Sequence, residues 1–173
     1  MKTVWKRADL AMRIVCGLGL VGMAVLLVMG IGRMRGPSTE VVANPVLPTS
    51  TWLVGSPPMQ NLLTLETATT PEEQRRGLMA RDDVGPHDGM AFPYGGRNAS
   101  FWMHGTRIPL DIAYVDPSGR VSKVVAGRPF DDTSLPGGPS SVVIEVRAGR
   151  ARLLGLVPGA KVVRSKSGTA AKR

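Results

Sequence analysis

Trp102, Met103, His104, Thr106 and Asp111 fall within one short stretch, where aromatic, imidazole, hydroxyl and carboxylate groups gather. On alternating strand faces, Phe101 and Met103 share one side while Trp102 and His104 share the other. A histidine beside a tryptophan offers the wall of a shallow pocket, and Asp111 could orient that histidine or bind a cation. The plainer reading makes Phe101 and Trp102 core residues. It has Asp111 tie down the Thr106–Pro109 loop through backbone N–H groups. For Trp102 and Asp111 both readings are open.

Two further charged positions qualify as ligand contacts. Arg81 leaves the end of a predicted helix beside Asp82-Asp83, where it caps carbonyls or faces an anionic ligand. Glu145 interrupts an apolar strand, and a carboxylate there needs a partner, such as Arg75, Arg76 or Arg81 across the sheet. The candidate ligand-binding residues are therefore Arg81, Trp102, His104, Thr106, Asp111 and Glu145. His104 and Asp111 are the catalytic candidates. Nucleophilic catalysis lacks parts, because the region after residue 60 has no cysteine and no G-x-S-x-G elbow. His87-Asp88, Asp82-Asp83 and Asp131-Asp132 offer hard ligands, yet there is no HExxH, EF-hand loop or two-histidine spacing. No metal and no cofactor is expected. Gly17 to Gly22 spells G-x-G-x-x-G, but it lies in an apolar run rather than in a βαβ unit.

The elements that must hold these groups are short. Asn61–Ala68 has strand composition. Thr70, Pro71 and Glu73 then form a capping box with proline at the first helical position, starting a helix TPEEQRRGLMAR. Leu78 and Met79 would face the core, and Glu72 and Arg76 pair at i, i+4. Gly89–Tyr94 reads as a strand, and Gly95–Asn98 as a hairpin loop leading to a strand at Ala99–His104. Pro109–Val115, the turn Asp116-Pro117-Ser118-Gly119 and Arg120–Ala126 read as a second hairpin. Phe130–Pro139 reads as a loop, Ser141–Val146 as a strand, Gly149–Leu156 as a short helix and Ala160–Arg164 as a last strand. About seven short strands and two short helices predict a mainly β (α+β) domain over 61–164, a sheet or small barrel.

Residues 14–32 are uncharged and mostly apolar, about 28 Å long as a helix, which fits a bilayer core. Lys2, Lys6, Arg7 and Arg13 precede the run, placing residues 1–13 in the cytoplasm and the domain outside, on the periplasmic side of an inner membrane. A signal anchor fits better than a cleaved signal peptide, whose apolar core is shorter; secretion after cleavage is the alternative. Residues 33–60, rich in Pro, Ser, Thr and Gly, read as a tether. The sole cysteine, Cys16, lies in the apolar run and supports no disulfide. The net charge of +9 includes a basic tail over 165–173. Elsewhere the charges interleave without a basic stripe, so nucleic-acid binding is disfavoured.

The succession TPEEQRRGLMAR, GMAF, SFWMHGTRIPLDIAYVDPSGRV and VVIEVRAGRARLLGLVPG resembles the family called domain of unknown function 192 (DUF192), from about Leu62 to Val163. The resemblance implies a small β-rich domain, often secreted or membrane-tethered, with no settled activity. Where the family commonly has Lys-Asn after FWM, this chain has His104-Gly105. Where a Gly-Asp opens the last strand, it has Gly159-Ala160. The function expected is an outer accessory module that binds a small ligand or an envelope partner. The alternative is a hydrolase or lyase using His104 with Asp111 or Glu145.

Overall fold

Apolar residues at alternate positions, and in short uninterrupted runs, set the strands of this domain. A computed structural model describes residues 41–85 and 87–165. The basic N-terminus, the expected anchor at 14–32, the first part of the tether and the tail after Ser165 lie outside them. Among the described residues no helix is long and apolar enough to cross a membrane.

In chain order the strands are β1 (Thr49–Ser56), β2 (Met59–Thr67), β3 (Gly89–Pro93), β4 (Asn98–Phe101), β5 (Leu110–Val115), β6 (Val121–Gly127), β7 (Leu135–Pro139), β8 (Val142–Arg147) and β9 (Val162–Arg164); the helix α1 (Pro71–Arg76) follows β2. Seven strands make a mixed sheet in the order β6-β5-β8-β3-β2-β1-β9, and β4 and β7 pair as a separate ribbon. β2 and β3 run parallel, so the chain must cross over between them, and α1 rides on that crossover. The sheet curls until its two ends meet: Arg120 bridges Lys161, Val121 N–H donates to the Ala160 carbonyl at 2.9 Å, and Val162 N–H to that of Gly119 at 2.8 Å.

The sheet is buried on both faces, which is why β8 reads as a run rather than an alternation. Ile144 and Val146 point into one core with Val54, Leu63 and Leu65. Val143 points into the other with Met90, Phe92, Ile112 and Tyr114, under Leu78. In register, Glu145 stands opposite Met90 on β3 and Ile112 on β5, so its side chain shares the second, outer core. That placement decides the chemistry below.

The capping box forms as predicted, with Thr70 Oγ1 accepting from Glu73 N–H at 3.2 Å and the Glu73 carboxylate from Thr70 N–H at 2.9 Å. The helix is shorter than its sequence pattern because Gly77 takes φ +46° and ends it, yet Leu78 and Met79 are buried. Four expectations are corrected. Part of the predicted tether is β1, which buries Trp52 and Val54 and pairs with β2 and β9, so the fold starts before residue 61. The strands flanking Gly95–Asn98 do not form a hairpin, since β4 pairs with β7 while β3 lies between β2 and β8. The predicted loop 130–139 contains β7, whose Gly137 lets the Tyr114 ring approach to within 1.8 Å of where a Cβ would stand. Residues 149–156 are turns rather than a helix: Gly149 and Gly155 both take positive φ, leaving too few residues between them to nucleate one.

Candidate functional site

A narrow cleft, with a volume of about 30 Å³, opens between α1 and the end of β4. Residues 74–79 form one wall, Phe101, Trp102 and Thr106 the other, and Phe92 and Glu145 also line it. Each wall has a local cause. The short helix and its glycine stop place Arg76 and Gly77 at the cleft, and a Cβ on Gly77 would meet the Phe92 ring at 3.3 Å. Phe92 packs edge-on against Phe101 at 5.0 Å, and Phe101 edge-on against Tyr114 at 6.0 Å, which fixes the end of β4 over the outer core. Trp102, just past β4, is left 48 % exposed.

Glu145 is 4 % exposed, its carboxylate reaches the cleft rather than being sealed off, and it has no hydrogen-bond or ion-pair partner among the described residues. Burial alone pushes its carboxyl up to about 8. The expected arginine partner is absent because each arginine is engaged elsewhere. Arg75 and Arg76 each reach Glu72 at 2.7 Å. The Arg75 hydrogen bond, with Arg76 beside it, holds the Glu72 carboxyl down at about 2. Arg81 grips the buried Glu66 through two bonds of 2.7 and 2.9 Å and donates to the Pro45 carbonyl at 3.0 Å. It therefore neither lines the cleft nor caps α1. The C-terminal carbonyls of α1 are met by Asn44, whose amide donates to Glu73 O at 2.9 Å and Gly77 O at 3.0 Å.

The remaining candidates divide. Thr106 is buried at the cleft wall. His104 is exposed, stacks on Trp102 with ring centres 4.9 Å apart, and shares a 2.8 Å hydrogen bond through Nδ1 with Asp132. Asp111 is spent elsewhere: its carboxylate accepts from Ala151 N–H at 3.0 Å, fastening the 149–156 turns rather than the Thr106–Pro109 loop. His104 thus pairs with neither Asp111 nor Glu145. Asp111→Ala is expected to cost about 1 kcal/mol of stability, read by urea denaturation, and to leave ligand binding at the cleft unchanged. A lost binding signal with an unchanged melt would contradict this.

Sequence reasoning missed Asp132 as the histidine's partner and the α1 wall of the cleft. Both lie far along the chain from the Trp102 segment, and no spacing announces such a meeting. A second hollow, lined by Ser100, Phe101, Trp102, Asp132 and Ser134, flanks the other side of the same ridge. Among the described residues no three His, Cys, Asp or Glu side chains converge to hold a metal ion.

The fold and cleft define a small, mainly β domain with a mixed seven-stranded sheet and a solitary buried acid beside an exposed tryptophan. The chain belongs to the DUF192 family, described as uncharacterized ACR, whose model matches residues 55–164. It is similar to a protein of unknown function from Novosphingobium aromaticivorans DSM 12444, with 37% identity, a TM-score of 0.63, and coverage of 70% of this chain and 91% of that one. It is also similar to a candidate transcription regulator from Sinorhizobium meliloti 1021, with 25% identity, a TM-score of 0.63, and coverage of 70% and 98%. No curated protein matches it.

Proposed function

We propose that this domain is a binding module, held outside the cytoplasm by the apolar segment 14–32, and that its contact site is the cleft above Glu145. The observation that carries the reading is the buried carboxyl without a partner. A fold gains nothing from such a group, because a hydrophobic residue of similar volume would be more stable there. Its presence at a narrow cleft beside a half-exposed indole marks a candidate contact point for the charged or polar head of a ligand. Trp102 and Thr106 supply the stacking surface and the hydroxyl, and His104 with Asp132 braces the outer face of the indole.

The hydrolase or lyase reading would use Glu145 as a general acid, for which a carboxyl near neutral range is suited. The cleft offers Thr106 as its hydroxyl, and His104 is engaged with Asp132. Binding without chemistry asks less of these residues.

Trp102→Ala tests the site. The substitution removes a half-exposed side chain, so melting should change little. Retention of small molecules by the full chain, read by ligand-observed NMR against a fragment mixture, should fall at least about tenfold. Equal retention by both forms would place the site elsewhere. Protease added to intact cells should cut the domain, whereas protection would overturn the proposed topology.

A further inference from the structure

We infer that the cleft above Glu145 recognises a small organic cation, the guanidinium or ammonium head of a ligand, with Glu145 as its counter-ion and Phe92, Phe101 and Trp102 as its apolar surround. The inference rests on the binding-module reading and names the chemistry of its occupant. Glu145 is more than nine-tenths buried, reaches the cleft, and meets no cation or N–H donor among the described residues. An unpaired carboxylate largely withdrawn from water gains most from a ligand that brings the missing positive charge and fills its lone pairs. The surrounding side chains suit such a head. Three aromatic residues line the cleft, and Thr106 adds a hydroxyl oxygen as an acceptor.

The charged neighbours are already engaged with other groups. From α1, Arg75 and Arg76 stand at the cleft, but both are bound to the Glu72 carboxylate. Beneath, Tyr114 from β5 and Tyr94 after β3 are the titratable groups that feel Glu145, and burial holds both phenols protonated. On the Trp102 side, His104 has turned to Asp132. Among the described residues an ionised Glu145 therefore has no cation to satisfy it, while protonation removes its charge. Cation binding must then displace a proton from Glu145, and a neutral ligand must not. This linkage separates a charged occupant from an uncharged one.

Methylguanidinium and its neutral isostere methylurea are suitable probes, because the guanidinium keeps its charge across the working pH range. Isothermal titration of the full chain in two buffers of different ionisation enthalpy should show close to one proton released per methylguanidinium bound at about pH 7. Affinity should rise about tenfold between about pH 7 and about pH 9, as the carboxyl ionises. Glu145→Gln should weaken methylguanidinium at least about tenfold and abolish the proton release. Methylurea should bind less well than methylguanidinium in the wild type. If methylurea binds better, loses affinity as pH rises, and depends on Trp102, the binding site stands and the cation inference falls. If neither probe binds at a Trp102-dependent site at concentrations up to tens of millimolar, both fall.

Discussion

Glu145→Gln is expected to stabilise the domain at alkaline pH by on the order of 4 kcal/mol and to change little below about pH 4. The carboxyl sits at about 8 in the folded state and at 4.5 when unperturbed. Between those values the folded protein holds a proton that the unfolded chain has given up. Stability must therefore fall as pH rises from about 4.5 to about 8, and level off above that, where both states are ionised. Glutamine has nearly the same shape and never ionises, so the variant escapes the decline. Urea denaturation at about pH 5 and about pH 9 should show the wild type losing stability and the variant holding it. The same loss in both proteins would mean that Glu145 finds a partner in solution. A stabilising change at a natural position is what is expected where a residue is kept for binding rather than for the fold.

Arg81→Ala should act in the opposite sense and cost about 3–5 kcal/mol. Glu66 is wholly buried, and its carboxylate is satisfied by the Arg81 fork and the Leu47 N–H at 2.8 Å. Removing the guanidinium strands a charge with a single amide for company. It also frees the Pro45 carbonyl and loosens the segment that leads into β1. Replacing both partners, Glu66→Leu with Arg81→Met, should restore much of the loss, since the penalty comes from the orphaned charge and not from a large net worth of the pair. Chemical denaturation of the single and double variants gives the comparison. A cost below about 1 kcal/mol for Arg81→Ala would show water reaching Glu66.

These two acids also show what the sequence could and could not disclose. Glu145 was legible as a misplaced charge in an apolar strand, and its need for a partner followed from burial. That the partner would come from none of the described residues could not be read, because it depended on Arg75, Arg76 and Arg81 being taken by Glu72 and Glu66. Local signals fared best. The capping box at Thr70 and Glu73 and the turn from Asp116 to Gly119 formed as their residue types require. Signals that depend on distant pairing failed. Leu135-Pro-Gly-Gly-Pro has almost no intrinsic strand preference and is a strand because β4 and the Tyr114 ring shape it. β1 was hidden among prolines, although Trp52 and Val54 alternate on its inner face. His104 stacks on Trp102 although β4 ends at Phe101, and its carboxylate partner is Asp132 rather than Asp111.

Asn44 has a consequence that is mechanical. The backbone on the N-terminal side of β1 is fastened twice: by the Asn44 amide to the last carbonyls of α1, and by Arg81 and Glu66 to Pro45 and Leu47. Tension on the chain ahead of Asn44 is therefore borne first by α1, one wall of the cleft, and only afterwards by the strand ladder. A pull on that end would be felt as a change in the width of the cleft beside Glu145.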